Sequence, residues 1–206
     1  MHVVMVSKAV VVGAYQRKLE ELAQLPGLRL TVLAPPGWRD SRGHTRLERA
    51  HVSGYQLLET PLVFNGHFHI HFYPHLAAQL TALRPDLIHM DEEPCNLSTL
   101  HCVWLAQQRR TPVCFFTWQN LHRTYPPPFR WFEWYVFHHV SHALAGNAEA
   151  IGILRRKGYQ GPVTLVPQFG VDPEIFRPFA RPPSARFVIG YAGGLVPEKG
   201  VDLLLR

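Results

Sequence analysis

Short apolar runs that read as strands alternate along this chain with stretches whose apolar residues recur at helical spacing, and no other feature restricts the fold as much. His2 to Lys8 is almost continuously apolar and rich in valine, the pattern of a strand buried on both faces. After Gly13, residues Tyr15, Leu19, Leu22 and Ala23 follow helical spacing until Pro26-Gly27 stops them. Arg29 to Ala34 is a second strand, Trp38 to Gly54 is polar and irregular, and Tyr55 to Phe64 reads as one or two short strands. The helix marked by Tyr73, Leu76, Ala77, Leu80 and Leu83 leads to a strand over Asp86 to Met90, and the helix marked by Leu97, Leu100, Trp104 and Leu105 leads to a strand over Val113 to Thr117. Pro126-Pro127-Pro128 opens an aromatic helix through Phe137, followed by a strand over His142 to Gly146. Asn147 as N-cap and Gly158 as C-cap bracket a further helix ahead of Val163 to Val166. Such alternation implies right-handed βαβ crossovers, so the predicted fold class is α/β: a Rossmann-like parallel sheet with helices on both faces.

The 206 residues suffice for a sizeable core, and only 17% are charged against 47% hydrophobic, which excludes a disordered polar chain. Ala9 to Val12 and Val113 to Phe116, the longest apolar runs, fall far short of the ~20 residues that cross a bilayer. Met1 leads straight into a strand-like run without a charged-then-apolar leader, so neither a membrane span nor a secretion signal is expected. Cys95, Cys102 and Cys114 are odd in number and lack CxxC spacing, which fits reduced, buried thiols and a cytoplasmic protein. The formal net charge of +6 admits nucleic acid, an anionic membrane face or a phosphorylated small molecule as partner. Basic residues are scattered apart from Arg155-Arg156-Lys157, and no zinc-finger, RNP-like or heptad-linked basic pattern occurs, so no nucleic-acid partner is expected.

In open parallel sheets, ligands bind outside the carboxyl ends of the strands. Four clusters fall there: Ser7-Lys8 through Gly13-Ala14, Asp91-Glu92-Glu93-Pro94, Trp118-Gln119-Asn120, and Asn147. Gly13 precedes a helix, where free amides favour a phosphate; a tight strand-to-helix turn explains the same glycine. Asp91, Glu92 and Glu93 offer carboxylates to sugar hydroxyls or to a proton transfer, and helix-dipole compensation ahead of Pro94 is the competing explanation. Glu92 and Glu93 are expected to face the cleft with side chains free of the core. His67, His69, His71 and His75 have no interleaved Asp, Glu or Cys, and histidines are spread along the whole chain, so they read as ordinary side chains and no metal site is expected. Arg130 to Phe137 reads as core-packing aromatic residues or as an interfacial membrane helix, in the latter case with Arg155, Arg156 and Lys157 near the same anionic inner membrane face.

Several segments resemble the bacterial family 4 glycosyltransferases, which pair two Rossmann-like domains across a cleft. The resemblance runs nearly end to end. It is carried by the His2 to Ser7 strand with Gly13, by Pro85-Asp86-Leu87-Ile88-His89 leading to Glu92-Glu93-Pro94, and by Thr117-Trp118-Gln119-Asn120. More specific are Val166-Pro167-Gln168-Phe169-Gly170-Val171-Asp172 with Phe176 and Pro178, and Gly190-Tyr191-Ala192-Gly193-Gly194-Leu195-Val196-Pro197-Glu198-Lys199-Gly200. The resemblance implies the N-terminal half of a GT-B fold: residues 1–172 as the acceptor-side domain, 173–186 as a proline-rich linker, and 187–206 as the truncated start of a nucleotide-sugar-binding domain, with a strand over Phe187 to Gly193 and a helix from Gly200. It also implies contacts of Gly13 and Lys199 with a donor diphosphate and an acceptor side lined by Glu92, Glu93, Gln119 and Asn120, where Glu92 and Glu93, as the carboxylates able to move a proton, are the catalytic candidates.

Three segments depart from that family: Gly13-Ala14 stands where a glycine pair is common in the first loop, and two others differ as well. Gly194 stands where an arginine usually partners the lysine, and Gln119-Asn120 stands where many members have His-Asp, so that loop carries no base at neutral pH. The implied reaction moves a sugar from a nucleotide diphosphate sugar, the co-substrate, to a carbohydrate or lipid-linked acceptor with retained configuration, without cofactor or required metal. A donor domain needs well over 100 residues by that resemblance, so this chain is expected not to transfer sugar alone. The alternative is a noncatalytic acceptor-binding subunit recruiting a partner chain that supplies the donor domain.

Overall fold

The computed structural model describes residues 1–40, 43–167, 170–178, 186–193, 195 and 199–205. The chain forms two compact units, Met1–Phe169 and Gly170–Arg206.

The first unit is built on a seven-stranded, wholly parallel sheet. Its strands are β1 (His2–Val6), β2 (Arg29–Ala34), β5 (Gln56–Glu59), β6 (Leu87–Met90), β7 (Val113–Thr117), β8 (His142–Ala145) and β9 (Val163–Leu165), in the order β5-β2-β1-β6-β7-β8-β9. Five helices join them: α1 (Arg17–Ala23), α2 (Leu76–Leu83), α3 (Leu97–Arg109), α4 (Phe129–His139) and α5 (Ala148–Arg156). Alternate residues of β1 enter different cores. Val4 and Val6 join Leu80, Val103, Phe115, Val136 and Leu154, whereas Val3 and Met5 join Leu19, Leu30 and Val32. Both sheet faces are therefore covered, which explains why β1 and β7 have no polar-facing position and are buried at all five residues.

Local chemistry sets the helix ends. The side chain of Asn147 accepts a hydrogen bond from the Ala150 N–H at 2.8 Å, and Gly158 follows α5 at φ +95°, a conformation that favours glycine. Successive strands after β1 step one way across the sheet, to β2 and β5; those after β6 step the other way. The strand order thus reverses between β1 and β6, and the loops leaving these two neighbours diverge to open a crevice.

Two expectations differ from the structure. The polar stretch after β2 holds an antiparallel hairpin, β3 (Gly37–Asp40) with β4 (Gly43–Arg46), pairing Trp38 with Thr45 and Arg39 with His44. Its backbone groups satisfy one another, so it needs no apolar alternation to form. In the second unit, the strand expected over Phe187 to Gly193 is absent. A strand exists only against a partner that takes its N–H and C=O groups, and among the described residues this unit contains no strand, only the one-turn helix α6 (Val201–Leu204). Residues 179–185 of the expected linker, Gln168 and Phe169 of the Gly-Val-Asp segment, and Gly194 and residues 196–198 of the Lys-Gly segment lie outside the described residues.

Candidate functional site

A pocket of about 300 Å³ opens at the carboxyl ends of β1, β6 and β7, lined by Lys8, Trp38, Phe68, Glu92, Glu93 and Trp118 among others. A larger hollow of about 550 Å³ lies at the opposite ends of β1 and β2, around His2, Arg29 and Thr31. There the polar groups satisfy each other, with His2 Nε2 2.9 Å from Thr31 Oγ1 and His2 Nδ1 3.0 Å from the Leu83 carbonyl, so we place the site at the carboxyl ends.

The three consecutive acids after β6 have three different environments. Asp91 accepts a hydrogen bond from Ser7 Oγ at 2.7 Å, and Lys18 Nζ stands 3.8 Å away. Glu92 is inside: its side chain is 1% exposed, ion-paired with Lys8 through Oε2, which also accepts a hydrogen bond from Asn96 Nδ2 at 3.2 Å. Its other oxygen faces the buried His71 Nε2 at 3.5 Å. Burial by itself raises this carboxyl, but Lys8, aided by His71, outweighs burial and holds it at about 2. The Lys8 ammonium also sits 4.2 Å from the centre of the Phe68 ring and 5.2 Å from that of Trp38, an aromatic cage that favours a desolvated cation.

Glu93 is half-buried and carries no cation. Its Oε2 accepts a hydrogen bond from Thr117 Oγ1 at 2.6 Å and its Oε1 accepts one from the Trp118 N–H at 2.8 Å. Burial raises its carboxyl above the ordinary range despite both hydrogen bonds, and the neighbouring Glu92 charge adds to the rise. A carboxylate has about four lone-pair sites. Two are used here, which leaves Glu93 able to accept a hydroxyl proton from a ligand in the pocket. Environment has split two adjacent glutamates into a fixed anion and a group poised to titrate, a pattern associated with acid–base chemistry.

The structure therefore corrects one expectation: Glu92 and Glu93 both reach the pocket, but Glu92 is not free of the core. Its carboxylate is needed to compensate a lysine that the β1 strand delivers to the interior. Gly13 is buried in a 3-10 turn, and its N–H donates to Glu48 Oε2 at 2.5 Å. A Cβ there would lie 2.6 Å from that oxygen and 2.7 Å from Ala50 Cβ, so glycine is required by the packed 48–50 segment itself. Buried Gln16 fastens the same segment, donating to the carbonyls of Val10 at 2.9 Å and Glu48 at 2.6 Å and accepting from the Ala50 N–H at 3.0 Å. Gln119 Nε2 donates to the Tyr125 hydroxyl at 2.7 Å, and Tyr125 lines a different hollow, with Arg130 and Glu133; Asn120 is exposed. Lys199 is exposed in the second unit.

Sequence reasoning missed the roof of the site. Trp38 comes from the unforeseen hairpin, Phe68 from the loop before α2, and His71, read as an ordinary histidine, is fully buried beside Glu92. His69 Nδ1 lies 2.9 Å from Asn96 Oδ1. Among the described residues, no group of three or more His, Cys, Asp or Glu is placed to hold a metal ion, and no helix is long and apolar enough to cross a membrane.

A parallel sheet with one reversal of strand order, helices on both faces and a pocket at the reversal defines a Rossmann-like α/β unit of the GT-B type. Solved structures with this fold include a UDP-GlcNAc 2-epimerase from Neisseria meningitidis bound to UDP-GlcNAc, at TM-score 0.50 and 14% identity over 80% of this chain and 46% of that one. They also include a UDP-N-acetylglucosamine 2-epimerase, at TM-score 0.51 and 12% identity over 80% of this chain and 47% of that one. A third is the S. aureus MnaA–UDP co-structure, at TM-score 0.50 and 15% identity over 80% and 43%. The chain spans less than half the length of each. No protein-family model matches the sequence, and no curated protein matches it.

Proposed function

We propose that this chain is the acceptor-side part of a GT-B glycosyltransferase, of the kind its segments resemble in family 4, which moves a sugar from a nucleotide diphosphate sugar to a carbohydrate or lipid-linked acceptor. The observation that carries this reading is Glu93: a carboxyl raised by burial, hydrogen-bonded on both oxygens and open to the switch-point pocket. In this role Glu93 accepts the hydrogen bond of the acceptor hydroxyl and takes up its proton as the new bond forms. Glu92 acts at one remove, holding Lys8 between Trp38 and Phe68 so that the pocket wall keeps its shape. Trp118 offers a ring face to a sugar, and Gln119 and Asn120, which follow it, take the acceptor side in this proposal.

The solved neighbours, named for UDP-GlcNAc and UDP, support a nucleotide sugar as the partner ligand. In this proposal residues 1–172 form the acceptor side, 173–186 the linker and 187–206 the beginning of the donor side, where Lys199 meets the diphosphate. Gly13, on the first unit, is open to a diphosphate only when Glu48 leaves its amide. The test is incubation of the chain, joined to a donor domain, with nucleotide diphosphate sugars and candidate acceptors, followed by mass spectrometry. Release of nucleoside diphosphate together with a glycosylated acceptor is the expected result. Epimerised donor formed without any acceptor would overturn it.

A further inference from the structure

We infer that the outer face of α4, with the pocket between this helix and the end of α5, is a seat for the phosphate headgroups of an anionic lipid bilayer. This pocket, about 490 Å³, is lined by Arg123, Arg130, Trp134, His138, Arg156 and Lys157 among others. Its acid, Glu133, is already used: Lys157 Nζ stands 2.7 Å from Glu133 Oε1, with both side chains under 10% exposed, and 4.6 Å from the centre of the Tyr125 ring. The floor is thus neutral. Around it, the guanidinium groups of Arg123, Arg130 and Arg156 are exposed and have no hydrogen bond or ion pair to a described residue. Three unpaired cations on one rim repel one another, and that repulsion is relieved by an anion in the pocket.

The neighbouring surface selects the kind of anion. At 100° per residue, Arg130, Trp131, Trp134 and His138 fall within a single arc of α4. Trp131 and Trp134 are 64% and 58% exposed. A free phosphate or pyrophosphate would use the arginines but leave both indoles in water. A bilayer surface uses both, since indoles settle at headgroup depth while basic side chains meet the phosphates. The structure also revises which basic residues take part. Of the consecutive Arg155, Arg156 and Lys157, the first donates to the carbonyls of Tyr159 and Gly161 and the third is buried against Glu133, so only Arg156 is open; its companions come from the loop before α4 and from α4 itself.

The inference does not rest on the glycosyltransferase reading, and its test needs no sugar. The 206-residue chain is sedimented with phosphatidylcholine vesicles with and without phosphatidylglycerol, at low and high salt, while tryptophan emission is followed. Expected are binding to the anionic vesicles only, weakening with salt, and a blue shift that is absent from the W131S/W134S variant. R123Q, R130Q and R156Q should each lower the partition coefficient about fivefold, equivalent to about 1 kcal/mol, and the triple variant roughly a hundredfold. These side chains are exposed, and circular dichroism checks that the variants remain folded. Equal binding by the triple variant, equal binding to neutral vesicles, or no vesicle binding overturns the inference. Saturable binding of inorganic phosphate or pyrophosphate without vesicle binding overturns it in favour of a soluble anion.

Discussion

The indole of Trp118 lies directly on Gly146, so that a Cβ added at position 146 would stand 2.6 Å from its ring. The two residues directly follow the neighbouring strands β7 and β8, and the missing side chain of one makes room for the ring of the other at the pocket wall. Gly146→Ala is therefore expected to push the ring out of place. Because Trp118 is 38% exposed, it has room to move, and the stability loss should stay within the roughly 1–3 kcal/mol of an overpacked site. Acceptor binding by the pocket should suffer more than stability. Denaturant titration beside saccharide titration of the same variant measures the two; unchanged binding would remove Trp118 from the site.

Lys8 and Glu92 should stand or fall together. Glu92→Gln or Lys8→Met leaves one buried charge without its partner, an effect of about 3–5 kcal/mol. A Lys8→Met/Glu92→Gln pair removes both charges and should recover much of that loss, giving a large coupling in a double-mutant cycle. The absence of coupling would show that the ion pair is not formed in solution.

The same pair sets a pH dependence. Glu92, at about 2 in the folded chain against 4.5 ordinarily, contributes stability fully present above pH 4.5 and lost as the pH falls toward 2. The shift corresponds to about 3 kcal/mol. Glu93, whose carboxyl is raised, acts in the opposite sense: its folded form binds the proton more readily, so it regains stability as the pH falls. Chemical denaturation should show a slope between about pH 2 and 4.5 that flattens in Glu92→Gln, and a slope of opposite sign above pH 4.5 that disappears in Glu93→Gln.

For catalysis in the complete enzyme, Glu93→Gln keeps the shape and the bond from the Trp118 N–H through its amide oxygen, with the amide NH2 now donating to Thr117 Oγ1, but removes the proton acceptor. Loss of a general base lowers the rate by about 10²–10⁴-fold, with little change in folding stability. Steady-state rates set beside thermal melts would decide, and an undiminished rate would return Glu93 to a purely structural role.

The cysteines offer an independent check of the core. Burial pushes Cys95 and Cys102 up to about 12 and Cys114 to about 11. At pH 8 almost no thiolate exists in the folded chain, so thiol reagents should label none of the three until the chain unfolds. Fast labelling of one thiol under native conditions would contradict the packing around it.

Strand and helix positions in the first unit were legible in the sequence because a doubly covered parallel sheet writes continuous apolar runs, and its crossover helices write a period near 3.6. β2 and β7 fall where the pattern puts them, as do the caps at Asn147 and Gly158. The loops after β1, β6 and β7 were also marked as the place to search, since topology sends their residues to one edge of the sheet. Pairings across the pocket were not legible. Nothing local in Lys8, Trp38, Phe68, His71 or Glu92 says that they meet, because they come from four segments brought together only by strand order and by a hairpin whose polar residues carry no periodic signal. Adjacent Glu92 and Glu93 are identical in sequence terms, and only the folded neighbours, a lysine for one and a hydroxyl with a backbone amide for the other, make one a fixed anion and the other a titratable group. Likewise Arg155-Arg156-Lys157 reads as one basic run, yet the helix end sends the three side chains to two backbone carbonyls, to solvent and to Glu133. Local pattern determined which elements form; long-range packing decided what each polar side chain faces, because charge and protonation depend on distances that only the folded chain sets.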